Sequence, residues 1–150
     1  MNDTAQARLS LQADARAMMT IRAFLATFAC EHGIGGDDSA RVAIAVEELV
    51  TNLVKYGYAA DAPLGSLAVA LRLEGDRLHV EIIDDGHEFD PFAPPPPDLG
   101  VPLETMPVGK LGLHLVKSLM EETRYRRDGS RNVTEIARRV VRASGAPRRA

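Results

Sequence analysis

What is scarce in this chain limits the reading first. Cys30 is the only cysteine, so no intrachain disulfide can form and a metal cluster built on thiolates is excluded. No apolar run approaches the ~20 residues of a membrane span. The opening MNDTAQARLS lacks the basic start and apolar block of a secretion signal, and the expectation is a soluble cytoplasmic protein. An excess of one charge is also missing. Charged residues make up 26% of the chain, yet the formal net charge is only −3. That balance argues against direct binding of nucleic acid, because domains that track phosphates carry a clustered basic excess. The stretch RRVVRASGAPRR is locally basic, but its last residues read as a tail. His32, His79, His87 and His114 show no metal-ligand spacing.

What is present suits one compact domain. The chain has 150 residues, 45% of them hydrophobic, enough for a real core. We expect that core over about residues 8–141, a long loop over 87–108 and a tail over 142–150. ARLSLQAD reads as a first strand. DARAMMTIRAFLATFACEHG reads as a helix with Asp14 as N-cap and Gly33 as its stop. After the turn GIGGDDS, Asp38 or Ser39 can cap a second helix over about Ala40 to Tyr58. Two alternating runs, SLAVALRLEG and DRLHVEIIDDG, meet at the hairpin composition Glu74-Gly75-Asp76. From His87 to Val108 the chain carries DPFAPPPPDLGVP, whose four consecutive prolines forbid helix or central strand. A structureless segment of about twenty residues is uncommon inside a domain, and is usually functional or disordered. KLGLHLVKSLMEE returns to helical spacing, and TRYRRDGSRNVTEIARRVV reads as a closing hairpin through Asp128-Gly129. The order β-α-α-β-β-loop-α-β-β predicts an α+β two-layer sandwich, with a mixed, mainly antiparallel sheet and helices on one face.

Three clusters stand out against this frame. On the second helix, 100° per residue places Val42, Val46, Leu49 and Leu53 in a buried stripe. Arg41, Glu48 and Asn52 fall together on one flank with Lys55 beside them, while Glu47 falls on the other. A solvated flank and a pocket wall fit this helix equally well. In VEIIDDGHEFDP, strand alternation gives Asp84 the core-facing side of Val80 and Ile82. There a carboxylate can accept a hydrogen bond from an exocyclic amine, and Gly86 lets a flat ring approach the backbone; a plain Asp-Gly turn is the alternative. In VGKLGLHLVKSLM, Gly109 and Gly112 flank Lys110 ahead of an apolar helix, whose free N–H groups suit phosphate oxygens. This is not a P-loop, since Leu111 stands where Ser or Thr must hold Mg²⁺ and Glu104 replaces the first glycine.

In this order, EELVTN with KYGY, DDGHEFDP and GKLGLHLVKSLM resemble the GHKL (histidine kinase-like) superfamily of ATP-binding domains. The likeness is strongest to its branch of RsbW-type anti-sigma-factor serine kinases, and spans about Arg8 to Val141. It implies a Bergerat-type ATP-binding fold with ATP and Mg²⁺ as cofactors, and an ATP lid over 87–108. Glu48 matches the general base, and Asn52 the residue that holds Mg²⁺ against the phosphates. Lys55 lies in KYGY beside them. Asp84 matches the reader of the adenine amino group, and Gly86 the glycine beside the ring. Gly109, Lys110, Leu111, Gly112, Leu113 and His114 match the turn and helix start that close over the phosphates. Asn132 falls near a polar residue supporting the adenine site, with Thr134 competing for that place. Two positions depart from the pattern. Glu88 replaces a second glycine and is expected to narrow the lid side of the pocket, and Lys110 replaces one of a glycine pair and adds a charge.

The resemblance implies a serine/threonine-protein kinase that sequesters a sigma-like factor and phosphorylates a small anti-anti-sigma-type antagonist. It also implies a homodimer paired through the first strand and helix, where MMTIRAFLATF supplies an apolar stripe. Two alternatives keep ATP: a non-catalytic, nucleotide-gated binding module, and a detached histidine-kinase catalytic domain.

Overall fold

The expected order of elements is the observed one. A computed structural model describes residues 4–56, 65–93 and 108–143, with backbone alone at 56 and 108–111. Within these run β1 (Thr4–Gln12), α1 (Ala17–Glu31), α2 (Gly36–Tyr56), β2 (Ser66–Glu74) and β3 (Arg77–Asp84), then α3 (Val108–Leu119), β4 (Glu122–Asp128) and β5 (Arg131–Arg139). Gly57 and Tyr58 of KYGY, and the lid from 94 to 107, lie outside the described residues.

The strands form one sheet in the order β1-β2-β3-β5-β4. The expected mixture of directions is corrected: every pairing among the described strands is antiparallel. Two of the four pairings are two-residue hairpins, which admit no other direction. Glu74 pairs with Arg77 and Asp128 with Arg131, which leaves Gly75 and Gly129 first in their loops. Both adopt a φ of 59°, a conformation that a Cβ opposes.

The three described helices all serve one face of the sheet. Leu67, Val69, Leu71 and Leu73 of β2 face inward with Leu78, Val80 and Ile82 of β3 and Ile136 of β5. Against them α1 buries Ala17, Ile21, Leu25 and Phe28, α2 buries Val42, Ala45, Val46, Leu49, Val50 and Leu53, and α3 adds Val116. Burial of this kind is the main favourable contribution to folding, about 25 cal/mol per Å² of apolar surface. The inner face is not apolar throughout. At one end of the adjacent strands β3 and β5 it carries Asp84, Asn132 and Thr134, all buried.

Helix starts differ from the sequence reading. Asp14 does not cap α1; its carboxylate accepts the Arg16 N–H at 2.8 Å in a local turn, and α1 begins at Ala17. The second helix begins at Gly36 rather than Ala40, with Asp37 and Asp38 in its first turn, where carboxylates complement the helix dipole. Asp38 turns inward instead of capping. It accepts Arg138 Nη2 at 2.9 Å and the Val141 N–H at 2.6 Å, which ties the start of α2 to the end of β5. The third helix begins at Val108, so Gly109 and Gly112 sit inside it rather than ahead of it. Residues 142 and 143 are also held: Arg142 bridges to Ile34, and the Ala143 N–H donates to Gly33 O at 2.7 Å.

Candidate functional site

Adjacent glutamates on α2 part company. Glu47 turns toward α1 and forms an exposed ion pair with Arg22. Glu48 turns toward α3, where its half-buried carboxylate lies over Gly112. A Cβ placed on Gly112 would overlap Glu48 Oε2 and approach Cδ to 2.8 Å. Glycine is thus what leaves the Glu48 carboxylate its position, and α2 and α3 meet at that point. One turn on, Asn52 is only 6% exposed, yet no described residue hydrogen-bonds its side chain, and its amide keeps access to solvent. A buried amide in that condition fits a ligand that it can reach.

The polar end of the sheet forms the second half of the site. Asp84 and Asn132 are direct partners across β3 and β5, 5% and 4% exposed. Asn132 Nδ2 donates to Asp84 Oδ1 at 2.9 Å and Oδ2 at 3.2 Å, and to His87 O at 2.8 Å. Its Oδ1 accepts from the Tyr125 hydroxyl at 2.5 Å and from Arg127 Nη1 at 3.0 Å. The same Arg127 nitrogen donates to Gly86 O at 2.8 Å. Burial pushes the Asp84 carboxyl above its ordinary pKa, against the hydrogen bonds from Asn132 and the Gly86 N–H that favour the ionised form. Asp85 faces the other way and accepts the Ser66 N–H at 2.9 Å. Strand alternation separated these two aspartates correctly.

Between the halves lies a small cleft, partly open to solvent. Leu49 and Leu53 of α2 and Ile82 of β3 supply apolar walls, Asp84, Asn132 and Thr134 the polar end, and Phe89 and Pro91 the remaining side. Its lining, apolar with a few convergent polar groups, has the chemical character of a small-molecule site. The segment carrying Phe89 and Pro91 is secured locally: Asp90 accepts the Phe92 N–H at 2.8 Å, and Lys117 of α3 donates to Phe92 O at 3.3 Å.

The residues singled out in the sequence are therefore distributed unevenly. Asp84, Asn132 and Thr134 line the pocket together. Gly86 is buried beside them, Asn52 and Glu48 flank the apolar wall on α2, and Gly112 faces Glu48. Leu113 is half-buried against the core, whereas Lys55 and His114 are exposed and do not line the pocket. Gly109, Lys110 and Leu111 occupy the first turn of α3 as backbone only. The expected narrowing at Glu88 is corrected, because Glu88 is exposed and the neighbouring Phe89 and Pro91 fill that side. Sequence reasoning missed Tyr125 and Arg127. Alternation along β4 sets both on one face, but nothing local reveals which strand they meet.

Comparisons with known proteins agree with this geometry. The histidine kinase-like ATPase domain matches residues 11–138. A Bacillus cereus (strain AH187) protein named serine-protein kinase RsbW is 31% identical, with 93% of this chain and 90% of that protein covered. The protein of the same name from Bacillus thuringiensis subsp. konkukian (strain 97-27) is 31% identical over the same shares. The crystal structure of the RsbU and RsbW domains of a Mycobacterium tuberculosis protein superposes with a TM-score of 0.67 at 26% identity. It covers 93% of this chain, which spans 34% of that longer one. With that match over most of its length, and with the sandwich and pocket described above, the chain belongs to the histidine kinase-like ATPase family.

Proposed function

We propose that this protein is an ATP-dependent serine/threonine-protein kinase of the anti-sigma type, acting in the cytoplasm. Its substrate is a hydroxyl on a small anti-anti-sigma-type antagonist, and its second partner is a sigma-like factor that it sequesters. The observation that carries the reading is the Asp84 carboxylate. It is buried at the end of an apolar cleft and held by Asn132, a poor arrangement for stability alone and a good one for reading a purine amine. The kinase names of the Bacillus relatives support the choice of reaction.

Each residue has a defined task in this reading. Leu49, Leu53 and Ile82 exclude water from the faces of the adenine, and Asp84 accepts the hydrogen bond of its exocyclic amine. The first turn of α3, with Gly109, Lys110 and Leu111, directs free N–H groups at the phosphates. Asn52 fits Mg²⁺, a hard ion that takes few protein ligands and is satisfied by an amide oxygen together with phosphate and water. Mg²⁺, when bound, neutralises charge on the phosphates. Glu48 accepts the proton of the attacking serine hydroxyl as the oxygen–phosphorus bond forms and ADP departs. The carboxylate held at Gly112 keeps that base at the junction of α2 and α3.

The test is transfer of labelled phosphate from ATP to the antagonist. Wild type is expected to give acid-stable label on serine or threonine, and Glu48→Gln to retain ATP binding while losing transfer. Label that never reaches the antagonist, or that forms equally with Glu48→Gln, would sink the kinase assignment.

A further inference from the structure

Tyr125 and Arg127 do not line the pocket, yet both terminate on the one amide that does. A carboxamide can sit either way round in the same space, and only its hydrogen-bond partners decide which end is oxygen. Here Asn132 Oδ1 accepts from two groups that donate on this side, the Tyr125 hydroxyl at 2.5 Å and the Arg127 guanidinium at 3.0 Å. Its Nδ2 faces acceptors only, the Asp84 carboxylate and His87 O. Turning the amide over would set N–H against guanidinium N–H and oxygen against carboxylate, two repulsions in a buried site. Tyr125 and Arg127 therefore lock the amide, and Arg127 fixes the adjoining turn through Gly86 O at 2.8 Å.

We propose that Tyr125 and Arg127 are specificity-determining positioning residues. By holding the Asn132 amide nitrogen on Asp84, they keep that carboxylate a pure acceptor and so make the pocket select a 6-amino purine over a 6-oxo purine. Without them the oxygen end of the amide loses both of its donors, and the N–H is held less firmly on Asp84. A buried carboxylate whose donor is loosened takes up a proton more readily, and that one proton, claimed by no other acceptor, is available to a 6-oxo group. The strand β4 then sets base selectivity from behind the site, without touching the base. This inference rests on the ATP site proposed above.

The experiment compares the affinities of the whole chain for ATP and for inosine triphosphate, which differ at the 6-position. The proteins are wild type, Tyr125→Phe, Arg127→Met, Arg127→Lys and the double variant Tyr125→Phe/Arg127→Met, with the melting temperature of each measured without nucleotide. Wild type should favour ATP. The double variant should lose about tenfold or more of that ratio, the scale of one or two buried hydrogen bonds. Tyr125→Phe, which removes one hydroxyl, should shift the ratio part of the way, and Arg127→Lys should restore most of it. An unchanged ratio in folded Tyr125→Phe and in the double variant overturns the inference. So does an equal fall for both nucleotides, since a merely structural role weakens the pocket without changing its preference. If wild type binds neither triphosphate, the nucleotide reading itself fails and the inference falls with it. If wild type selects ATP and the variants select it equally well, only the inference falls.

Discussion

At the scale of single residues, Asp84 links stability to binding. Its carboxyl titrates above the ordinary value of 3.8 in the folded chain because burial disfavours the charge. The folded state therefore holds this proton more tightly than the unfolded state does. Stability falls as pH rises from the unfolded value through the raised folded one, and is flat above it. Asp84→Asn should remove that loss, so its stability relative to wild type should increase across the same window in denaturant titrations. Binding runs the other way. Below the folded pKa the neutral acid is a weaker acceptor for an amine, so the rise in melting temperature with Mg²⁺–ATP should shrink in wild type as pH is lowered, and should be absent from Asp84→Asn at neutral pH. The two adjacent glutamates of α2 give a second contrast. Glu47 makes an exposed ion pair with Arg22, and such pairs contribute about 0–1 kcal/mol. Glu47→Gln should change stability by less than about 1 kcal/mol and leave phosphate transfer intact, whereas Glu48→Gln should abolish transfer. Equal activities of the two variants would remove Glu48 from the chemistry.

At the scale of elements, the meeting of α2 and α3 depends on an absent side chain. Alanine at position 112 is favourable to the helix by about 1 kcal/mol relative to glycine. Its Cβ, however, takes the space of the Glu48 carboxylate, and that flexible side chain can yield by rotating away. Gly112→Ala should thus melt at the wild-type temperature or higher while turning over at least about tenfold more slowly, a reduction of about 1.4 kcal/mol in transition-state stabilisation. Full activity in that variant would show that the base does not need this position. The elements also show what a sequence can disclose. The stripe Val42, Val46, Leu49 and Leu53 and the inward side of Asp84 follow from period alone, 3.6 in one case and 2 in the other, and both are observed. Helix starts are less legible. Asp14 has the composition of a cap and spends its carboxylate on a local turn, while Asp38 finds a stronger partner in Arg138, 100 residues away. Tyr125, Arg127 and the contact of Glu48 with Gly112 were invisible for the same reason: each exists only once distant segments have packed.

At the scale of the whole molecule, the anchor between Asp38, Arg138 and the Val141 N–H stands apart from the pocket. The pair is largely buried, with side-chain exposures of 9% and 17%, and removing one partner leaves the other charge uncompensated. Asp38→Ala should lower stability by about 3 kcal/mol in chemical denaturation and leave the relative affinities for ATP and inosine triphosphate unchanged. A lowered preference for ATP would mean that the anchor also shapes the pocket. The homodimer implied by family resemblance has a simple check in the mass by light scattering at high concentration, and a strictly monomeric value would reject it. The surface of α1 divides the neighbouring methionines, with Met18 packed toward the core and Met19 77% exposed, so Met19 is the residue to substitute in that measurement.

The strand order carries a consequence in time. Among the described strands β5 is made last, yet it lies between β3 and β4 in the sheet. While a ribosome has emitted only the chain through Asp128, Asp84 stands on an open edge without Asn132, and Thr134 has not arrived. The cleft has no polar end until β5 inserts. Nascent chains should consequently remain indifferent to ATP until β5 has emerged, and acquire affinity for it in that one event.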